Sequence, residues 1–136
     1  GRVMARVVAH SGVLTSVDVA GSVAFWIGKL GFSVVETFGS PPEFAILRRD
    51  CAYQMIGMAR SGPPMLRRDQ RSGLMDAYFW VDDAQALHDD LTRSACTFAA
   101  PLEKQPYGVI EFMIETPDGH HIAFGQDLQG EIGRES

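Results

Sequence analysis

Two short runs of the chain carry the residue types that can hold a charged or flat molecule. Asp76, Tyr78 and Trp80 alternate along one run, and Glu111, Met113 and Glu115 along the other. In an extended chain alternate side chains share a face, so the first run sets a carboxylate beside aromatic rings and the second sets two beside a thioether. Aromatic faces attract cations as well as flat rings, and a carboxylate in a partly dry setting attracts cations more strongly than one in water. Paired carboxylates also suggest acid–base catalysis, but no nucleophile or electrophile accompanies them. Phe38 and Tyr107 stand near expected loop tips, where they would close over such a surface. The opposing reading is that Tyr78 and Trp80 fill an interface between two copies of the chain.

The stretch from Pro106 to Phe124 must position the second run. Ile110, Phe112 and Ile114 alternate with Glu111, Met113 and Glu115, a period of two that predicts a strand with one buried side. Thr116-Pro117-Asp118-Gly119 then makes a tight turn, because proline fixes φ and glycine supplies a positive φ. A second strand returns through Ile122 and Phe124. Glu115, next to the turn, is expected to be wetter than Glu111.

The rest of the chain builds the same unit twice. Val7 to Val17 reads as a strand ending at Asp18, a helix N-cap by residue type. Val19, Val23, Trp26, Ile27 and Leu30 recur at helical spacing until Gly31 stops the helix. Strands follow at Phe32–Phe38, Phe44–Arg48 and Ala52–Met58. The linker from 59 to 74 carries Arg60, Arg67, Arg68 and Arg71 with two prolines and two glycines. Beyond it, Asp76–Val81 reads as a strand and Asp82-Asp83 as a cap. The next helix turns Ala84, Leu87 and Leu91 inward and His88 outward. A short strand at Thr97–Ala99, a loop through Pro101 and Pro106, and the hairpin complete the second unit. Placing Asp18 on Asp83 aligns the halves at an offset of about sixty-five residues. One domain is expected, with module one about 7–58 and module two about 75–126.

At 136 residues and 46% hydrophobic, the chain can bury one shared core. The net charge of −5 argues against a nucleic-acid partner. Outside the arginine-rich loop, acids outnumber bases two to one. No apolar run approaches the roughly 20 residues of a membrane span, and no signal-peptide pattern opens the chain. Cys51 and Cys96 lack metal-like spacing, so reduced thiols and a cytoplasmic protein are expected.

Leu14-x-x-x-Asp18-Val19-x-x-Ser22-Val23-x-Phe25-Trp26 with Leu30-Gly31-Phe32, then Ala77-Tyr78-Phe79-x-Val81-Asp82-Asp83, then Tyr107-Gly108-x-x-x-Phe112 with Pro117-Asp118-Gly119-His120, follow in order from about His10 to Gln126. Together they resemble the vicinal oxygen chelate superfamily, the group of glyoxalase I, extradiol dioxygenases, fosfomycin-modifying transferases and bleomycin-resistance proteins. The resemblance implies an α+β fold of paired βαβββ modules, whose curved sheets form a cleft completed in a homodimer. It also implies four inward positions that hold a divalent ion in the metal-dependent members. Carried onto this chain they are Ser11, Gln54, Asp76 and Ala123. A hard cation wants carboxylate, imidazole or water ligands, and Ala123 offers nothing, so no metal and no cofactor are expected. A bulge that turns His10 inward would give the alternative set His10, Gln54, Asp76 and His121.

With the cleft implied by the resemblance, Phe38, Gln54, Asp76, Tyr78, Trp80, Tyr107, Glu111 and Met113 are its expected lining. The leading expectation is a non-catalytic binding protein resembling the bleomycin-resistance group: a homodimer that sequesters a planar cationic or amphipathic small molecule such as an antibiotic, with no nucleic-acid or membrane partner. The alternative is a metal-dependent lyase, isomerase or dioxygenase of the glyoxalase type. A structural or regulatory module is the third class, because fold does not fix function.

Overall fold

The computed structural model describes residues 5–59 and 74–133; the arginine-bearing part of the linker lies outside them. Module one runs β1 (Ser11–Ser16), α1 (Val19–Gly28), β2 (Ser33–Phe38), β3 (Phe44–Arg49) and β4 (Ala52–Met58). Module two repeats the order with β5 (Ala77–Trp80), α2 (Ala84–Arg93), β6 (Thr97–Lys104), β7 (Val109–Glu115) and β8 (His121–Asp127). Each module is a four-stranded open sheet, ordered β1-β4-β3-β2 and β5-β8-β7-β6. The first strand of each pairs in parallel with the last, as a β-α-β crossover requires, and the remaining pairs are antiparallel. The α+β fold of two βαβββ modules is the one expected.

Both helices start where their caps say. The Asp18 carboxylate accepts from Gly21 N at 3.0 Å, and Asp83 from Ala86 N at 3.0 Å, each filling an orphan donor of the first turn. After α1 the chain reverses at Gly31, whose φ of 73° is open to glycine at no steric cost. Each helix covers one face of its own sheet, and the covered faces meet in one core. Phe79 of β5 carries the join: its ring lies 6.1 Å from Trp26, 5.7 Å from Phe32 and 5.6 Å from Phe124. Polar contacts add to it. Ser16 Oγ donates to Asp118 Oδ1 at 2.8 Å, His120 Nε2 lies 2.7 Å from Thr15 O, and Lys29 Nζ donates to Ser94 O.

Two boundaries and one side-chain orientation differ from the sequence reading. The first strand begins at Ser11, not Val7, because its ladder with β4 begins at the Ser11–Tyr53 pair, one residue from the start of β4; Val7 and Val8 are exposed. β6 continues through Pro101 to Lys104, where a loop was expected. It is an edge strand with register shifts between Phe98 and Glu103, the setting that tolerates a proline. His88 is turned inward rather than outward, its ring 4.7 Å from Phe98 and 5.2 Å from Phe112. Positions 84, 87, 88 and 91 share one helix face, so the same spacing that buries Leu87 and Leu91 seats His88 on the core.

Because one core serves both modules, they should unfold together. Trp26→Ala, at a site 1% exposed, is expected to cost about 3–5 kcal/mol. Denaturant melts of the variant, followed by far-UV dichroism and by Trp80 fluorescence, should shift together to a lower midpoint. Two separated transitions would show that the modules hold independent cores.

Candidate functional site

Helices leave the other face of each sheet uncovered, and the ladder registers place residues on it in rows. In module two, Trp80 pairs with Gly125, Gly125 with Glu111, and Glu111 with Glu103. The next row is Tyr78, Ala123, Met113 and Ala100. Residues paired across strands share a face, so four strands present an aromatic edge, a central strand of Ala123 and Gly125, and a pair of carboxylates.

Tyr78 crosses between the rows. Its ring lies down over Gly125, where a β-carbon would fall 1.8 Å from the phenol oxygen. Only glycine admits that approach. The Tyr78 hydroxyl thereby reaches Glu111, donating to Oε1 at 2.9 Å. Tyr107, from the loop before β7, donates to the same oxygen at 3.0 Å. Glu111 Oε2 has no hydrogen-bond partner among the described residues. The Trp80 ring sits 4.8 Å from that of Tyr78, tilted by 54°, and is 47% exposed. Burial first, then the hydrogen bond and charge of Glu111, push the Tyr78 phenol far above its ordinary 10.0. The more exposed Tyr107 shifts the same way, by desolvation and by its bond to Glu111. Both phenols therefore stay protonated as donors to Glu111.

The site residues expected from sequence do not all meet. Trp80, Tyr78, Glu111 and Tyr107 are linked in that order by successive contacts, and Met113 lies on their face, although it is buried. Asp76 sits beyond the far end of β5. Its Oδ2 accepts from His121 N at 2.8 Å and lies 3.8 Å from His120 Nδ1. Phe38 belongs to the uncovered face of the other sheet, where its ring lies 6.2 Å from Phe44. Gln54 is on the wrong face. It shares the side of Ile56, 2% exposed, and its amide donates to Gly12 O and Met55 O at 3.1 and 3.0 Å. Glu115, like Glu111, is half-buried; its side chain is 20% exposed and lies 3.1 Å from His121 Nε2.

The register also tests the metal positions. Met55 pairs with Val13 as Ala123 pairs with Tyr78, so the position equivalent to Ala123 is Met55, not Gln54. The set is then Ser11, Met55, Asp76 and Ala123, with one carboxylate already bonded to a backbone amide. It does not fit a hard divalent ion. His10 precedes β1 and is exposed, and Gln54 faces the helix side, so the alternative set does not converge either. Among the described residues, no group of three or more His, Cys, Asp and Glu side chains is placed to hold a metal.

Two residues of consequence escaped sequence reading. Glu103 was hidden by Pro101, which argued against a strand. His120, 7% exposed, was quoted only as part of a turn. Its reach to Thr15 of module one has no local sequence signal.

Comparison with known proteins follows this geometry. A model of the Glyoxalase/Bleomycin resistance protein/Dioxygenase superfamily matches residues 7–124. Comparison with curated proteins finds no match. Among solved structures, TioX from Micromonospora sp. ML1 superposes with a TM-score of 0.73 at 17% identity, covering 88% of this chain and 98% of that one. TnmS3, an antibiotic binding protein from Streptomyces sp. CB03234, gives 0.70 at 17%, covering 91% and 98%. The bleomycin-binding protein from bleomycin-producing Streptomyces verticillus, complexed with copper(II)-bleomycin, gives 0.67 at 28%, covering 89% and 97%. The two at 17% show shared fold alone.

The Tyr78–Glu111 contact has an alkaline signature. A phenol with a raised folded pKa contributes stability that is complete below the unfolded value near 10 and is lost as pH climbs above it. Absorbance titration should show Tyr78 ionising well above the ordinary range. Glu111→Gln should lower its midpoint without restoring 10, because burial is the larger cause. An unchanged midpoint in Glu111→Gln would show that the contact does not form in solution.

Proposed function

The chain belongs to the Glyoxalase/Bleomycin resistance protein/Dioxygenase superfamily, and on that premise we propose that it binds, without transforming, a planar cationic small molecule on the uncovered face of module two. The observation that carries this reading is the row Trp80–Gly125–Glu111–Glu103. Two carboxylates directly opposite in an antiparallel pair repel each other, and a cation set between them would relieve the repulsion. Two phenols hold Glu111 by one oxygen and, among the described residues, leave the other to a ligand. Beside it, the Tyr78 and Trp80 rings offer a surface for stacking a flat cation. The misfit of the four metal positions removes the Lewis acid on which the metal-dependent reading would rely. The bleomycin-binding protein of this fold, at 28% identity, supports sequestration of an antibiotic-like compound as the role.

Module one supplies the complementary half. At the positions of Glu111 and Glu103 it has Phe44 and Phe38, paired across β3 and β2. Its uncovered face also carries Val13, 57% exposed. A second copy placing this apolar face over the acidic face of module two would enclose a ligand between aromatic and charged walls. We therefore assign the active form as a homodimer.

Two measurements test this. First, 10-methylacridinium should quench Trp80 fluorescence, while Trp26, 1% exposed, is shielded. Glu111→Gln should weaken binding by about ten- to a hundredfold, the equivalent of a charge-assisted contact of about 1.5–3 kcal/mol. Asp89→Asn, on the outer side of α2, is the control. Equal affinity for neutral acridine at pH 8 would contradict the cation reading, and turnover of the ligand would contradict the non-catalytic one. Second, sedimentation at micromolar concentration should show a dimer, and Val13→Lys should shift it to monomer; a wild-type monomer would refute the assembly.

A further inference from the structure

A second recess lies away from the uncovered sheet faces, at the seam between the modules. It has a volume of about 560 Å³, within the range of small-molecule pockets. One wall is Phe32 with the turn joining β3 to β4; the other is the end of β5 with the first turns of α2. Phe79, Leu87 and Phe124 form an apolar floor. Among the described residues, four carboxylates, Asp50, Asp82, Asp83 and Asp90, border it against one base, Arg49.

The partners of these groups decide which charge the recess favours. The Arg49 guanidinium is held at one end by Leu30 O, to which Nη1 donates at 2.8 Å, and its Nε lies 3.8 Å from Asp50, so it offsets part of that one carboxylate's charge. Asp83 caps α2, and Asp90 pairs with Arg93. Asp82 has no hydrogen-bond or ion-pair partner among the described residues, and the Asp50 side chain is 89% exposed. An apolar floor under an excess of negative charge repels anions, and for a neutral apolar molecule it would leave the carboxylates unpaired.

We propose that this groove is a second binding site, independent of the face around Glu111, and that it takes a small amphipathic amine. The ammonium sits toward Asp82 and Asp50, and the hydrophobic body lies on the aromatic floor. Trp80, at the end of an edge strand, borders both sites, so its fluorescence alone cannot separate them. Cys51 can, because its exposed thiol stands on the groove wall.

The test measures labelling of Cys51 in the wild-type protein by two methanethiosulfonate reagents of similar size, one trimethylammonium and one sulfonate. Mass spectrometry assigns the product to Cys51 rather than Cys96. Relative to N-acetylcysteine amide, the cationic reagent should be favoured by about tenfold, as local potentials of this kind produce. Asp82→Asn should erase most of that preference. Benzyltrimethylammonium should slow labelling of Cys51 by a neutral reagent, while benzyl alcohol should not. All of this should persist in Glu111→Gln, in which the sheet-face site is weakened. A reagent ratio equal to that of the free thiol, or no protection by benzyltrimethylammonium, overturns the proposal. Loss of both effects in Glu111→Gln would show that there is one site, not two.

Discussion

Tyr78 can reach Glu111 only because β8 has no side chain at position 125. The phenol oxygen occupies the space a β-carbon would need, and the ring spans the central strand to a carboxylate two strands away. That single approach orders the site. It sets the ring against which Trp80 leans and brings the phenol onto one oxygen of Glu111, the oxygen that also accepts from Tyr107. Larger residues at 125 would lift the ring, and the row would become an ordinary sheet surface.

The two modules use the same device for different ends. Gly57 of β4 stands where Gly125 does in β8, and the Phe44 ring packs 3.5 Å from where its β-carbon would be. In module one the aromatic comes from the neighbouring antiparallel strand; in module two it comes from the parallel edge strand, and the antiparallel neighbour holds Glu111 instead. The face around Gly57 is consequently aromatic and the face around Gly125 acidic, on backbones of the same topology. The common core, joined through Phe79, holds these unlike faces in one rigid unit.

Much of this was legible in the chain. Asp18 and Asp83 marked both helix starts, the alternation of Val109–Glu115 gave the buried side of β7, and the sixty-five-residue offset gave the repeat. Glu111, Tyr78 and Trp80 followed from parity alone. What failed did so for physical reasons. Parity in β4 would have put Met55 rather than Gln54 on the open face, but a position carried over from the resemblance displaced it. Pro101 masked an edge strand, and with it Glu103. The pairing of Glu103 with Glu111, and the reach of His120 to Thr15, depend on register and module packing, which a local pattern does not encode.

The central claim is that a flat cation rests on the face built by Trp80, Tyr78 and Glu111. The most direct test is intermolecular nuclear Overhauser contacts from 10-methylacridinium to isotope-labelled protein. The account predicts contacts from the ligand ring to the Trp80 indole and the Tyr78 ring, with the N-methyl group nearest the Glu111 and Glu103 side chains. Contacts confined to α1 and α2, or to module one alone, would contradict it.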